Sequence, residues 1–256
     1  MDRRLAALAL ALAAACRPAP TSTAPRVLAR GTLGYAVAID GQRLVTIELE
    51  LAFALVVRDL ASGRVERQVS LGPPERDLPA LAVADGVAWV GGADAAVRAI
   101  DLADGTTRAR WPIGAAVTAL AVAAPDLLVV GDAAGAVCLR RRTDGALLQC
   151  VAMAPGPIRG LDLDGDVVTA TTATGRRGLR LPTLATTRPR PTRLEVVDHV
   201  VRVDGRDRLR FAGAARAAAL GTDGVVAAVG WVMRLDDPSV IIVGPTTPPA
   251  GRRATD

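Results

Sequence analysis

The sequence predicts an all-β fold assembled from one repeated unit of short strands, and two observations carry that prediction. The first is a self-similar stretch. Leu81 to Gly105, LAVADGVAWVGGADAAVRAIDLADG, holds two alternating apolar runs, a glycine break and two Asp-Gly turn pairs. About forty residues further on the pattern returns as LAVAAPDLLVVGDAAGAVCLRRRTDG, Leu120 to Gly145. The second is the spacing of turn aspartates: Asp40, Asp85, Asp126, Asp164, Asp198 and Asp223 follow one another at 45, 41, 38, 34 and 25 residues. A repeat of this period built from strands with two distinct faces is the signature of a propeller blade. The expected architecture is a β-propeller of four-stranded antiparallel blades, about six of them, with five or seven as the alternatives.

The first thirty residues stand outside the repeat. Met1 to Arg4 is a short basic leader, and Leu5 to Ala15 is an apolar run too short to span a bilayer as a stable helix. Together they read as a signal peptide over residues 1–15. The run ends Leu12-Ala13-Ala14-Ala15-Cys16, which resembles a bacterial lipobox, with Ala13 where leucine is usual. That resemblance implies acylation of Cys16 and, because Arg17 rather than aspartate follows, an outer-membrane lipoprotein facing the periplasm or cell surface. Residues 16–30 then carry the lipidated cysteine and a tether. Its RPAPTSTAP segment has nothing to bury and serves as a flexible spacer. The propeller is expected over 31–245, and 246–256 is a polar, disordered tail.

Within the propeller each strand has a reason. A second set of turns, Ser62-Gly63, Asp104-Gly105 and Asp144-Gly145, recurs at 42 and 40 residues. Between turns the apolar positions superpose: Leu55 and Val57 on Val97 and Ala99, and on Val137 and Leu139. Such alternation, bounded by Gly and Asp, marks strands with one buried face. The step from Asp198 to Asp223 is too short for four strands and their turns, so either one late blade is reduced or the register fails there. A strand near Arg26 to Leu28 is expected to close the ring onto the last blade.

The runs VVRDLASGRVERQVSLG, AVRAIDLADGTTRARWPIG and TALAVAAPDLLVVGDAAGAVCLRRRTDGALLQC resemble WD-repeat blades. The middle unit, with VADGVAWVGG before it and Trp111 after its turn, is also similar to pyrroloquinoline-quinone-type repeats. The Gly-His and Trp-Asp pairs of WD repeats are missing. The resemblance runs from about Val27 to Met153 and fades beyond Arg190.

Composition excludes some functions. Apolar residues make up 50% and charged ones 22% of the 256 residues, as in ordinary globular proteins. All 31 basic side chains are arginine, and beside such heavy alanine use much of the +5 net charge reflects codon composition. Aromatics at 2% leave no stacking platform for single-stranded nucleic acid, so no nucleic-acid partner is expected.

Candidate chemistry is sparse. The single histidine, His199, adjoins Asp198, but neighbouring strand residues point to opposite faces and form no relay. Asp162, Asp164 and Asp166 mimic the start of a calcium loop, yet Ala173 stands where the closing glutamate belongs, so Asp164-Gly165 is read as a turn. Cys138 and Cys150 flank the Thr143-Asp144-Gly145 turn. A three-residue loop would set them opposite each other for a disulfide, whereas a two-residue loop would put them on opposite faces. Three arginine groups, Arg140–Arg142, Arg176-Arg177 and the Arg202, Arg206, Arg208, Arg210 series, read as solvated strand ends and edge gatekeepers, the alternative being a patch for anionic lipid or polysaccharide. Trp89 and Trp231 are expected between blades, or else at the channel mouth facing a ligand. The glycines of Leu81–Gly105 are assigned to turns.

No catalytic, cofactor-binding or metal-binding residue is assigned. The expected function is a monomeric, lipid-anchored scaffold without catalysis, binding protein partners in the cell envelope through its loops. The alternatives are a propeller enzyme or quinone- or metal-binding protein with a site at the channel mouth, and a purely structural propeller. Three or more of Asp40, Asp85, Asp164 and Asp223 converging on the channel would favour the second.

Overall fold

The strand pattern becomes six antiparallel sheets arranged as the blades of a propeller. The computed structural model describes residues 26–30, 33–73, 79–123, 126–191, 193–211, 215–221, 225–231 and 239–245, and no helix occurs among them. The leader at 1–15, Cys16, the tether up to residue 25, the tail at 246–256 and the Asp223-Gly224 turn lie outside the described residues.

Blade 1 runs β2 (Leu33–Asp40), β3 (Arg43–Leu49), β4 (Phe53–Asp59) and β5 (Val65–Gly72). Blade 2 runs β6 (Ala80–Ala84), β7 (Val87–Gly91), β8 (Ala96–Asp101) and β9 (Thr107–Pro112). Blade 3 is β10 (Val117–Ala123), β11 (Leu127–Asp132), β12 (Ala136–Arg141) and β13 (Leu147–Ala152). Blade 4 is β14 (Gly160–Asp164), β15 (Val167–Thr172), β16 (Gly175–Arg180) and β17 (Ala185–Thr187). Each of these pairs in chain order from the channel outwards. Blade 5 has three strands among the described residues: β18 (Leu194–Val197), β19 (Val200–Val203) and β20 (Arg206–Arg210). Blade 6 combines β21 (Ala215–Leu220), β22 (Val225–Trp231) and β23 (Ser239–Pro245) with β1 (Arg26–Arg30), whose Val27 pairs with Ile242. The short Asp198–Asp223 interval is therefore the reduced blade. The strand expected near Arg26 closes the ring, so the propeller starts at Arg26 rather than at 31.

Turn chemistry sets the hairpins. Asp85 and Gly86 take φ of 52° and 73°, and Asp204 and Gly205 take 51° and 73°. Two successive residues in the left-handed region make the two-residue turn whose twist matches the strands. The third-to-fourth-strand turn is wider and repeats in three blades. Gly63 N–H donates to Asp59 O, Gly105 N–H to Asp101 O and Gly145 N–H to Arg141 O, at 2.8, 2.9 and 2.9 Å. A bulge follows each of these turns on the outer strand.

Apolar faces meet between blades. Val45, Ile47, Leu55 and Val57 of blade 1 pack on Ala88, Val90 and Ile100 of blade 2. Trp89, Val97 and Trp111 of blade 2 pack on Val117, Leu120 and Leu128 of blade 3. The superposed positions Leu55, Val57, Val97, Ala99, Val137 and Leu139 are all buried. Gly91 and Gly131 do not serve turns, contrary to the assignment for Gly91. A Cβ at Gly91 would lie 2.4 Å from Val117 Cγ1, and one at Gly131 2.6 Å from Ile158 Cγ2. These glycines let the next blade approach. Glycines on the outer turns do the same: Gly63 lies against Leu28, Gly105 against Val69 and Gly145 against the Trp111 ring.

One buried ion pair interrupts the apolar seams. Arg58 and Glu48, 5% and 3% exposed, meet diagonally across β3 and β4 in a two-pronged pair, with Arg58 Nη2 donating to Glu48 Oε2 at 3.0 Å. Arg58 Nη1 also donates to Glu48 Oε1 and, at 3.1 Å, to Thr46 Oγ1. Strand alternation places Thr46 and Glu48 on the face of Leu44, which packs on Ala227 and Val229 of blade 6. Both charges are thus paired at the seam where the ring closes.

Gly91→Ala is expected to cost about 1–3 kcal/mol in urea unfolding, through overpacking against Val117. Gly92→Ala, where an added Cβ meets nothing within 4 Å, should stay within about 0.5 kcal/mol. Glu48→Gln should cost about 3–5 kcal/mol by stranding the Arg58 charge, and Glu48→Leu combined with Arg58→Met should recover most of it in the same measurement.

Candidate interaction face

The blade order separates two ends of the ring. At one end lie the first-to-second-strand turns and the third-to-fourth-strand turns, which carry most of the aspartates. At the other lie the second-to-third-strand loops and the connectors between blades.

At the turn end most of the described aspartates are engaged in the scaffold. Gly86 N–H donates to Asp40 Oδ2 at 3.0 Å, linking blades 1 and 2. Arg142 donates to Asp85 Oδ2 at 2.6 Å while its guanidinium lies 4.6 Å above the Trp89 ring, linking blades 2 and 3. Arg190 donates to Asp164 Oδ2 at 3.0 Å and to Asp166 Oδ1 at 3.3 Å, beside blade 4. Asp59, Asp101 and Asp144 are held below the ordinary carboxylate range of about 3.8 by turn donors: the Ser62 hydroxyl, the Ala103 N–H and the Ala146 N–H respectively. Among the described residues no three His, Cys, Asp or Glu side chains converge as metal ligands. Asp198 and His199 form the exposed turn between β18 and β19.

Arg141, Arg176, Arg177 and Arg206 are exposed, as expected of solvated strand ends, and members of the first two arginine groups also tie into the scaffold. Arg140 Nη1 donates to Gly145 O, Arg141 pairs with Asp144 and Arg177 Nη1 donates to Met153 O, each at 2.8 Å. Trp89 packs between blades 2 and 3, and only the backbone of Trp231 is described.

Cys138 stands opposite Cys150 and the two are joined as a disulfide, Cα atoms 4.1 Å apart. The register arises differently from the three-residue loop that sequence spacing offered. Arg141 N–H donates to Ala146 O, leaving four residues in the loop, and the bulge between Leu139 and Arg140 shifts the pairing into line at the cysteines.

At the loop end the connectors are tied down regularly in blades 2 and 3. Ile113 N–H donates to Ala95 O and Val117 N–H to Gly92 O; Met153 N–H donates to Gly135 O and Ile158 N–H to Asp132 O. Between blades 1 and 2 this end opens instead into a shallow pocket of about 40 Å³, lined by Phe53, Leu71, Val90, Asp94 and Arg98 among others. Aromatics gather beside it. Tyr35 meets Phe53 edge to face at 5.1 Å, and Arg216 of β21 lies 4.3 Å over the Tyr35 ring. Leu51, in the loop between β3 and β4, is 97% exposed.

Asp94 organises the polar wall. Arg98 Nη2 and Arg110 Nη2 donate to its Oδ2 at 2.8 and 3.3 Å, and Arg98 Nη1 reaches back to Leu71 O of blade 1 at 3.0 Å. Burial opposes its ionisation, but Arg98, Arg110 and the Ala96 N–H outweigh that and hold the carboxyl below its ordinary value. Sequence reasoning missed this cluster. Its one available signal was that the sole tyrosine and one of the two phenylalanines fall beside strand ends.

No family model and no curated protein matches the sequence. Solved structures do match. The computationally designed Ika4 protein is 19% identical, with a TM-score of 0.51 over 61% of this chain and 96% of that one. U3-55K is 10% identical, with a TM-score of 0.61 over 84% of this chain and 80% of that one. The RRP9 WD40 repeats are 11% identical, with a TM-score of 0.59 over 84% and 79%.

Because Asp94 is depressed in the fold, its ion pairs stabilise the protein above about pH 4 and lose that effect as pH falls through the lowered value. Asp94→Asn should lower the unfolding free energy from urea titration at pH 6 by about 1 kcal/mol or less. The gap to wild type should close as pH falls toward 2. Among these likenesses the WD40 structure agrees with the resemblance read from the repeats, and what they jointly show is the fold: this chain is a β-propeller with WD40-repeat structural neighbours.

Proposed function

We propose that this propeller is an exported, lipid-anchored scaffold that binds a protein partner in the cell envelope and carries out no chemistry itself. The observation that carries the reading is the loop-end rim over blades 6, 1 and 2. There Leu51 projects into solvent beside the Tyr35–Phe53 pair, the Arg216 cation and the pocket walled by Asp94 and Arg98. Aromatic and arginine side chains on a preformed apolar surface are what protein hot spots are made of. The WD40-repeat likeness supports protein binding in general. The Met1–Cys16 leader supports export and acylation at Cys16. The Cys138–Cys150 bridge belongs to the same reading, since an oxidising compartment sustains such bonds.

The test is affinity capture of the detergent-extracted protein from its own membranes. Wild type should bring down a stoichiometric protein. Leu51→Asp should lose at least tenfold of it with an unchanged melting temperature, and Cys16→Ser should leave the membrane fraction. Retention of the partner by Leu51→Asp, or turnover of a small substrate by partner-free protein, overturns the proposal.

A further inference from the structure

Blade 5 is the odd member of the ring. β20 ends at Arg210 and β21 begins at Ala215, which leaves no length for a fourth strand. Among the described residues β20 therefore pairs with β19 alone. In blades 1 to 3 the third strand is covered by a fourth and is largely buried, as in β4 and β8. In β20, by contrast, Arg206 and Asp207 are exposed and Arg208 half-buried, while Leu209 remains in the core. The strand keeps its inner anchor, and among the described residues no strand covers its outer edge.

From this geometry we infer that the edge of β20 is a docking site for an extended acidic segment of a partner protein, added antiparallel as the missing fourth strand. A sheet edge offers a ladder of N–H and C=O groups to any extended chain, and the side chains along it select which. Here Arg206 and Arg208 stand on the strand itself, and its one acid, Asp207, is already engaged at 2.9 Å by Arg202 of the next strand, so the edge is left with a basic excess. Opposite charges across neighbouring strands attract, and like charges repel. The same arginines therefore disfavour a second copy of this chain, which would set arginine against arginine. The chain's own terminal segments suit the position poorly. Residues 1–25 contain three prolines and residues 246–256 two, and each segment carries more arginine than acid. Proline cannot donate to the ladder. This edge is separate from the loop-end rim, so it stands or falls independently of the function proposed there.

Hydrogen exchange on the full-length protein, read by mass spectrometry, tests the inference. The probe is a synthetic eight-residue peptide alternating Glu with Val. It should slow exchange across residues 206–210, and added salt should weaken it. A peptide with Lys in place of Glu should bind at least tenfold more weakly. Arg206→Glu, at an exposed position that leaves the core untouched, should also weaken the acidic peptide at least tenfold, and Arg208→Glu provides a second such variant. Four results overturn the inference: equal protection by the Lys peptide, protection confined elsewhere, unchanged affinity in both variants, or residues 206–210 already protected in the free protein, which would show that its own segments or a second copy cover the edge.

Discussion

The pairing of β1 with β23 is the constraint on which the ring depends. It brings residues about two hundred positions apart into one sheet, from Arg26 opposite Val243 to Arg30 opposite Val240. Closing a loop of that length costs on the order of 5 kcal/mol in chain entropy. Two strand edges alone do not repay it, and the seam between blades 6 and 1 shows what does. Gly34 admits Val229 to within a methyl's reach, Leu28 settles against Gly63, and Leu44 packs on Ala227. The Glu48–Arg58 pair lies on the same face. Its stabilising effect is small compared with an apolar pair of equal volume, yet losing either partner is expensive. A charge pair of this kind penalises misplaced closure more than it rewards correct closure. We regard that as its role at this seam.

The ring was legible because its hairpins are written locally. Asp85-Gly86 and Gly105 announce their turns within two residues, and Leu55, Val97 and Val137 repeat at blade spacing. Asp204-Gly205 carries the same local signal, and it marks the turn between β19 and β20 that resolves the short late interval. What could not be read was set by distance. Gly91 looks like a turn glycine until Val117, from the next blade, is seen to occupy the space of its Cβ. Glu48 and Arg58 are ten residues apart and become partners only through the register of β3 and β4. The facing cysteines show a subtler case. Their alignment depends on a bulge compensating a four-residue loop, and a bulge has no compositional mark. At the candidate site, Tyr35, Phe53 and Arg216 come from three strands, and no spacing rule links them.

Arginine abundance takes on meaning only in the fold. A planar guanidinium offers five donors in a fixed fork, which suits it to tie carbonyls and carboxylates on separate segments at once. Arg98 bridges Asp94 and Leu71 O, and Arg67 reaches Asp104 O of the following blade. Arg142 joins Asp85 to Trp89 across the seam of blades 2 and 3. After β17 the connector toward blade 5 is pinned to blade 4 by Arg190, whose guanidinium donates to Asp164 and Asp166 and whose backbone N–H donates to Thr169 Oγ1. Much of the positive charge among the described residues is thus matched within the ring, which weakens any inference from net charge to a polyanionic partner.

The arginines of β20 differ in position. Arg98, Arg142 and Arg190 are matched to carboxylates fixed by the ring, whereas Arg206 and Arg208, which lie near the Asp204 carboxylate of their own turn, line the third strand that has no fourth beside it among the described residues. A propeller tolerates such a gap because its cohesion is carried by the inner strands and the faces between blades. Val201, Leu209 and Phe211 of the blade 5 region still pack on Val226 and Ala228 of blade 6. The outermost strand of a blade adds least to these faces, as the exposure of β5, β9 and β13 shows. Its loss therefore costs the ring little and uncovers a ladder of backbone groups. The uncharged version of that edge would be an aggregation site, and the arginines make it a selective one.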